Sequence, residues 1–208
     1  MYSLNKKFFS NINELTCYWA GFIAADGCLR RNKRTLNFCL NIKDMPHLEL
    51  FCKDIEYTGK PKEYNRTKTY GHGKVYNEAR LQISSKEFCK YLIDNFNITP
   101  NKTFTYILPK LNDEMMRHFY RGLCDGDGSF CILKASNSLY FKLIGIERII
   151  SDFRDRLISF GLPRNNIAQQ GNVHNLRYGC KSAKKVGEYL YMNSSRHLER
   201  KHLVWSKS

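Results

Sequence analysis

Hydrophobic and polar residues alternate one by one along two stretches of this sequence. In the first stretch, Leu36, Phe38, Leu40 and Ile42 alternate with polar or smaller residues, and residues 139–143 repeat the pattern. A period of two places successive side chains on opposite faces of a β-strand. Both stretches are therefore predicted to be strands with one buried and one solvent-facing side.

Helices are predicted on both sides of each strand. Asn13 and Asn112 are suitable N-cap residues for helices that end at Asp-Gly pairs. Further helices are predicted at residues 46–57, 86–95, 147–160 and 182–192. Hairpin strands are predicted at residues 64–70 with 75–84, turning at 71–73, and at 166–170 with 173–179. The halves 1–112 and 113–208 each read αββαββα, which predicts an α+β fold built from a tandem repeat.

A nine-residue motif opens both halves. Residues 19–27 read Trp-Ala-Gly-Phe-Ile-Ala-Ala-Asp-Gly, and residues 120–128 read Tyr-Arg-Gly-Leu-Cys-Asp-Gly-Asp-Gly. Gly21 and Gly122 are each followed four residues later by a small residue, Ala25 or Gly126. Small residues at this spacing share one helix face and let two helix backbones approach closely. The motif helices are therefore expected to pack on each other.

The motif also places one aspartate, Asp26 or Asp127, at the end of each helix. A carboxylate there meets the negative end of the helix dipole, and two such carboxylates repel each other where they converge. A divalent cation with oxygen ligands relieves both effects, and a metal-bridged pair of carboxylates is suited to phosphodiester hydrolysis. An EF-hand calcium loop starting at Asp125 is excluded, because Phe130 and Ser136 stand where glycine and glutamate are required.

The composition indicates a polyanionic partner. Lys and Arg number 34 against 19 acidic residues, a formal charge of +15, and both halves carry the excess. This distribution favours a broad nucleic-acid surface over a disordered basic arm. The eight cysteines include no Cys-x-x-Cys pair, so neither zinc fingers nor disulfides are predicted, and a reducing intracellular compartment is expected. No secretion signal or membrane-spanning segment is predicted.

The paired motifs resemble those of the LAGLIDADG homing endonucleases in their single-chain, two-motif form, and the likeness covers nearly the whole chain. The resemblance implies a pseudo-twofold protein with two saddle-shaped antiparallel sheets in the DNA major groove and the motif helices at the interface. It implies a monomeric site-specific endonuclease that uses Mg²⁺ or Mn²⁺ and leaves 3′ overhangs. Asp26 and Asp127 match the family's metal-binding acids, and we assign Ala25 and Gly126 to the same metal site. The sixth motif position, Ala24 or Asp125, differs between the copies.

Two lysines also match the family pattern. Lys102 and Lys201 follow the last predicted helix of each half at similar distances from the motif aspartates. The resemblance implies that each side chain points into the active site. There an ammonium would stabilise charge that develops on the phosphate or would order the attacking water, so both lysines are predicted to be catalytic.

Strand alternation nominates the side chains that contact DNA. Arg80 and Gln82 suit bidentate contacts with guanine and adenine edges. The basic turn at residues 30–34 is expected to contact phosphates. The full set of predicted DNA contacts is Arg30, Arg31, Lys33, Arg34, Asn37, Asn41, Lys43, Arg80, Gln82, Lys134, Tyr140, Lys142 and Arg177. Since the halves differ at these positions, a long target of imperfect symmetry is expected.

Two other functions fit parts of the pattern. An RNA maturase that binds intron RNA, or a DNA-binding regulator that does not cleave, could share the fold, but such relatives often lose the motif acids, and both are present here. A basic structural protein would explain the charge but not the repeated aspartate. The sequence therefore favours cleavage.

Overall fold

The computed structural model describes residues 2–67 and 75–208. The helices are α1 (Glu14–Asp26), α2 (Met45–Asp54), α3 (Lys86–Phe96), α4 (Asp113–Asp127), α5 (Glu147–Ser159), α6 (Cys180–Tyr191) and α7 (Glu199–Ser206). The strands are β1 (Gly27–Leu29), β2 (Thr35–Asn41), β3 (Lys62–Thr67), β4 (Val75–Ser84), β5 (Gly128–Leu133), β6 (Ser138–Gly145), β7 (Ala168–Gln170) and β8 (Val173–Gly179). The chain forms two compact units, Met1–Ile12 with Asp26–Pro109 and Asn13–Ala25 with Lys110–Ser208.

The first unit is an antiparallel sheet with helices on one face. Its strand order is β1-β2-β4-β3, and α2 and α3 pack on the central strands. Phe38 of β2 contacts Phe51 of α2 with ring centroids 5.5 Å apart, and Ile83 of β4 and Phe88 of α3 are fully buried. Burial of these apolar side chains holds the helices on the sheet and leaves its other face open to solvent.

The second unit repeats this topology. Its strand order is β5-β6-β8-β7, with α5 and α6 on one face. Phe141 of β6 and Phe153 of α5 lie 6.1 Å apart between ring centroids and are fully buried. The α+β class and the repeated four-stranded sheets are therefore confirmed. The division of the sequence at residue 112 stays a prediction about the repeat.

The motif helices contact each other through their glycines, as the sequence predicts. A Cβ atom on Gly21 of α1 would lie 1.9 Å from the carbonyl oxygen of Phe119, and one on Gly122 of α4 would lie 1.9 Å from that of Tyr18. Both distances are far below van der Waals contact. Only glycine lets the α1 and α4 backbones approach so closely, which offsets the roughly 1 kcal/mol that glycine costs in a helix interior relative to alanine.

Three details of the predicted secondary structure were wrong. The strand that contains Leu36 ends at Asn41, because the Asn41 side chain accepts a hydrogen bond from the Lys43 N–H at 3.0 Å and caps a short 3-10 helix, Ile42–Asp44. Helix α2 ends at Asp54 rather than at residue 57. Helix α7 was not predicted, since its sequence has no clear apolar face. The predicted hairpin turn at residues 71–73 lies outside the described residues.

Across residues 2–67 and 75–208, no helix combines the length and apolar character that crossing a membrane requires.

Candidate metal and nucleic-acid site

Each motif aspartate is the last residue of its helix, and the glycine after it begins a strand. Asp26 ends α1 and is half-buried, whereas Asp127 ends α4 and is exposed. Gly128, which follows Asp127, is sterically required, because a Cβ atom there would lie 2.6 Å from the carbonyl oxygen of Cys124. Both carboxylates therefore stand at the same kind of helix-to-strand junction, where they remain accessible to a ligand.

A buried lysine binds each of these junctions. The Lys102 ammonium donates to the carbonyl oxygen of Gly27 at 2.6 Å, and the Lys201 ammonium donates to that of Gly128, the equivalent glycine. Only 9% of Lys102 and 6% of Lys201 is exposed. Each lysine thus fixes the backbone directly after a motif carboxylate, and the catalytic role of both lysines stays a prediction.

Lys201 also neutralises the end of α4. Its ammonium donates to the carbonyl oxygens of Gly126 at 2.8 Å and Cys124 at 3.2 Å. A cation that binds the last carbonyls of a helix compensates the negative end of its dipole. At α4, therefore, a lysine relieves part of the electrostatic cost that the sequence argument assigned to a metal ion. The Gly126 carbonyl, nominated as a metal ligand, already accepts this hydrogen bond.

Asp125, the residue that differs between the two motif copies, anchors the second unit. It is 1% exposed and accepts hydrogen bonds from the hydroxyls of Tyr18 at 2.9 Å and Tyr191 at 2.7 Å and from the Leu198 N–H at 2.6 Å. Burial raises the pKa of the Asp125 carboxyl, while these three donors favour its ionised form. Sequence reasoning missed this role, although an acid inside an apolar helical run was a signal for it.

A second buried polar cluster, which was not predicted from the sequence, connects α1 and α4. Arg121 is fully buried, forms an ion pair with Glu14 at 2.9 Å, and lies 5.1 Å from the centre of the Tyr18 ring. Its guanidinium donates to Nδ1 of His118 at 2.6 Å. Since arginine only donates hydrogen bonds, His118 accepts and must be neutral.

The pH dependence of stability tests this cluster. Burial, together with the charge of Arg121, lowers the pKa of His118 from 6.5 to about 4, although Glu14 opposes the shift. Between pH 6.5 and about 4, His118 is protonated in the unfolded chain but neutral in the folded protein. The free energy of unfolding therefore falls as the pH decreases towards 4. The predicted loss between pH 7 and pH 5 is at most about 2 kcal/mol.

Urea unfolding of the wild type and of His118→Asn at pH 7 and pH 5 measures the contribution of His118 to this loss of stability. The amide oxygen introduced by this substitution can still accept from Arg121 but does not titrate, so the variant should lose less stability on acidification. An identical pH dependence in both proteins would contradict the assignment.

On the open face of the first sheet, the predicted DNA contacts form cross-strand rows. Asn37 on β2 pairs with Gln82 on β4 and with Cys28 on β1, and Arg30 donates to the Gln82 side chain at 3.1 Å. Arg31, Lys33 and Arg34 are exposed in the β1–β2 turn. Lys43 is exposed in the 3-10 helix rather than on a strand, and Asn41 caps that helix.

The second sheet carries a row at the equivalent place. Lys142 on β6 pairs with Arg177 on β8 and with Ser129 on β5. Tyr140 is two residues away on the same strand face and pairs with Gly179. Lys134 stands apart from these rows, exposed in the β5–β6 turn. The two open faces thus present different chemistry at the same position in the repeat.

Arg80, the residue nominated for guanine contact, has partners within its own sheet. Its guanidinium donates to the Glu78 carboxylate at 2.8 Å and lies 4.7 Å from the centre of the Tyr64 ring. The Cys39 thiol donates to the same carboxylate at 3.1 Å. A DNA contact by Arg80 must therefore replace or share the Glu78 interaction.

Comparison with known proteins gives a consistent fold assignment. The homing endonuclease I-WcaI bound to its DNA recognition sequence is 17% identical, with a TM-score of 0.63 over 95% of this chain and 90% of that one. I-DmoI in complex with DNA and Ca is 14% identical, with a TM-score of 0.56 over 95% of this chain and 100% of that one. The chain therefore has a LAGLIDADG-type fold.

The same fold also occurs in full-length DUF199/WhiA from Thermatoga maritima, which is 18% identical with a TM-score of 0.53. That match covers 98% of this chain, which spans 65% of the length of WhiA. Neither the protein-family models nor the curated proteins give a match to the sequence. At these identities the likeness establishes the fold, and the activity has to be argued from the residues of this chain.

Proposed function

We propose that this protein is a site-specific double-strand DNA endonuclease that hydrolyses phosphodiester bonds with a divalent metal ion and leaves 3′ overhangs. The observation that carries the proposal is the repeated junction. Asp26 and Asp127 each end a motif helix, and a buried lysine binds the carbonyl oxygen of the glycine after each of them. A double-strand break needs two hydrolytic steps, and two equivalent acids provide one for each strand.

The residues at these junctions fit Mg²⁺ or Mn²⁺. Both ions prefer oxygen ligands, and the carboxylates of Asp26 and Asp127 are accessible, with the backbone of Ala25 and Gly126 directly before them. The ion, when bound, would polarise the scissile phosphate and lower the pKa of the attacking water. Asp26 and Asp127 would hold the ion, and Lys102 and Lys201 would keep the carboxylates in position through the backbone.

The lysines are therefore assigned a positioning role. Lys102→Met keeps an unbranched apolar side chain but leaves the Gly27 carbonyl without its ammonium donor. We expect single-turnover cleavage to slow by about 100-fold, because a displaced catalytic carboxylate is costly, while DNA affinity stays within about twofold. Retained affinity shows that the variant is folded. An unchanged cleavage rate would show that Lys102 has no role in positioning the carboxylate for cleavage.

The open sheet faces would bind the DNA. The protein carries a formal charge of +15, and the rows around Asn37 with Gln82 and Lys142 with Arg177 place hydrogen-bonding groups on the solvent side of both sheets. Because these rows differ chemically, we propose a long target whose two half-sites are related but not identical. Arg30, Arg31, Lys33 and Arg34 would contact phosphates.

Binding by several phosphate contacts predicts a steep salt dependence. Neutralising about six phosphates should lower the affinity about 1,000-fold between 50 and 200 mM KCl, because bound counterions are released from the DNA. A filter-binding or fluorescence-anisotropy titration measures the slope. An affinity that does not change with salt would contradict a phosphate-binding surface.

Selection from a randomised DNA library tests the function directly. The protein is incubated with the library and Mg²⁺, and the broken ends are sequenced. One enriched sequence cut on both strands, with 3′ overhangs, is expected, whereas the double variant Asp26→Asn, Asp127→Asn should release no ends. Enrichment of bound but uncut DNA would instead favour a DNA-binding regulator of the same fold.

A further inference from the structure

The segment that leads into α7 holds the second motif junction from one side. The Leu198 N–H donates to Asp125, and the Lys201 ammonium donates to the last carbonyls of α4. Both groups belong to residues at the start of α7. The position of this short helix therefore affects the backbone next to Asp127.

Three other residues of the same segment bring potential metal ligands together. One potential ligand atom from each of His197, Glu199 and His202 lies within 4.8 Å of those of the other two. Nε2 of His197 is 3.3 Å from a carboxylate oxygen of Glu199, and the rings of His197 and His202 stack with centroids 4.0 Å apart. Glu199 and His202 are three residues apart on α7, a spacing that places both on one helix face.

A buried nitrogen atom of this cluster favours a ligand-binding role. Nδ1 of His197 is buried and has no hydrogen-bond partner among the described residues, and a buried unsatisfied nitrogen costs about 1–3 kcal/mol. Two imidazoles and a carboxylate gathered at this separation can share a cation.

We propose that His197, Glu199 and His202 bind a transition-metal ion of the Zn²⁺ class, which fixes the conformation of the segment at the start of α7. Two imidazoles and one carboxylate form a ligand set that suits Zn²⁺, Co²⁺ or Ni²⁺, with water completing the coordination, and they disfavour Mg²⁺. Metal–ligand bonds of about 2.1 Å require the three ligand atoms to approach to roughly 3.5 Å. His197 and Glu199 already meet this distance at 3.3 Å, so rotation of the His202 ring out of the stacked arrangement has to provide the rest of the adjustment.

The ion is expected to act through the residues between its ligands. Binding joins His197, before the helix, to Glu199 and His202 on its first turns, and so fixes Leu198 and Lys201 in place. These two residues hold Asp125 and the carbonyls beside Asp127. The site is therefore separate from the metal proposed at the motif aspartates and supports the backbone of that region.

Trp205 provides a direct readout, since its ring centroid lies 5.4 Å from that of His202. The chelator-treated full-length protein is titrated with Co²⁺ in excess Mg²⁺, without DNA. Saturable 1:1 quenching of tryptophan fluorescence, reversed by Zn²⁺, is expected. The quenching should disappear in Trp205→Phe, which retains the other tryptophan, Trp19, and should persist in His174→Ala, which removes a histidine outside the cluster.

Ligand variants decide between this site and adventitious binding. His202→Ala should abolish the 1:1 binding. Glu199→Gln, on a side chain that is 69% exposed and so cannot disturb the fold, should weaken it about tenfold or more. Zn²⁺ should raise the melting temperature of the wild type but not that of His202→Ala. Absence of 1:1 binding in the wild type, or wild-type affinity in both ligand variants, would overturn the proposal, and neither result depends on whether the protein cleaves DNA.

Discussion

Replacing Asp127 by Asn should eliminate double-strand cleavage and leave DNA binding nearly unchanged. The amide keeps the size of the side chain but removes the charge that would bind the proposed divalent ion, and Asp127 is exposed, so the substitution should disturb the fold little. With supercoiled plasmid that contains the selected target, the linear product should fall by at least about 1,000-fold, which corresponds to roughly 4 kcal/mol of transition-state stabilisation. Asp26→Asn should have the same effect, because a linear product requires hydrolysis of both strands.

Asp125→Asn is the informative neighbouring control. Asp125 is buried and accepts three hydrogen bonds, so its replacement should lower the stability of the protein. Asp127→Asn should instead unfold at the wild-type urea concentration. Linear product from either Asp26→Asn or Asp127→Asn at the wild-type rate would refute the assignment of these two acids.

Gly122→Ala should destabilise the protein severely, although alanine is the better helix former by about 1 kcal/mol. The added Cβ atom would meet the Tyr18 carbonyl oxygen at 1.9 Å and the Phe22 nitrogen at 2.7 Å. Both are backbone atoms, so no change of side-chain rotamer can relieve the overlap, and α1 must move away from α4. We expect a net loss of about 3 kcal/mol or more, measured as a shift of the urea unfolding midpoint.

Gly179→Ala is the matched control for that substitution. A Cβ atom on Gly179 would meet nothing within 4 Å, and the backbone there is extended, with φ of −121°. Its unfolding midpoint should differ little from that of the wild type. If Gly122→Ala were as stable as Gly179→Ala, the close contact between α1 and α4 would be disproved.

The sequence predicted the features that depend on local patterns. The alternation around Phe38 and Phe141, the N-cap residue Asn112 and the Asp-Gly helix ends all depend on neighbours along the chain, and the structure confirms them. The spacing of Lys102 and Lys201 indicated that both lysines belong to the motif regions, and each of them binds the glycine after a motif aspartate. Their burial could not be predicted, because it depends on carbonyl groups more than 70 residues away.

Long-range pairing explains most of what the sequence did not predict. Arg121 is neutralised by Glu14, and Asp125 is satisfied by Tyr18, each 107 residues away in the sequence. No local periodicity connects such residues, so buried charges in α4 were not interpreted as structural. The pairing of Arg80 with Glu78 is different. The two residues are two positions apart on β4 and so share a strand face, but the alternation alone does not decide between this partner and DNA.

The alternation on β4 and β8 places residues with two different roles next to each other along each strand. Leu81 and Leu176 are buried and maintain the folded state, whereas their neighbours Gln82 and Arg177 are exposed. Exchange of the outward residues should therefore change what the proposed DNA-binding surface recognises and leave the core intact. A library designed to retarget such a surface can follow the same division and randomise one residue in two.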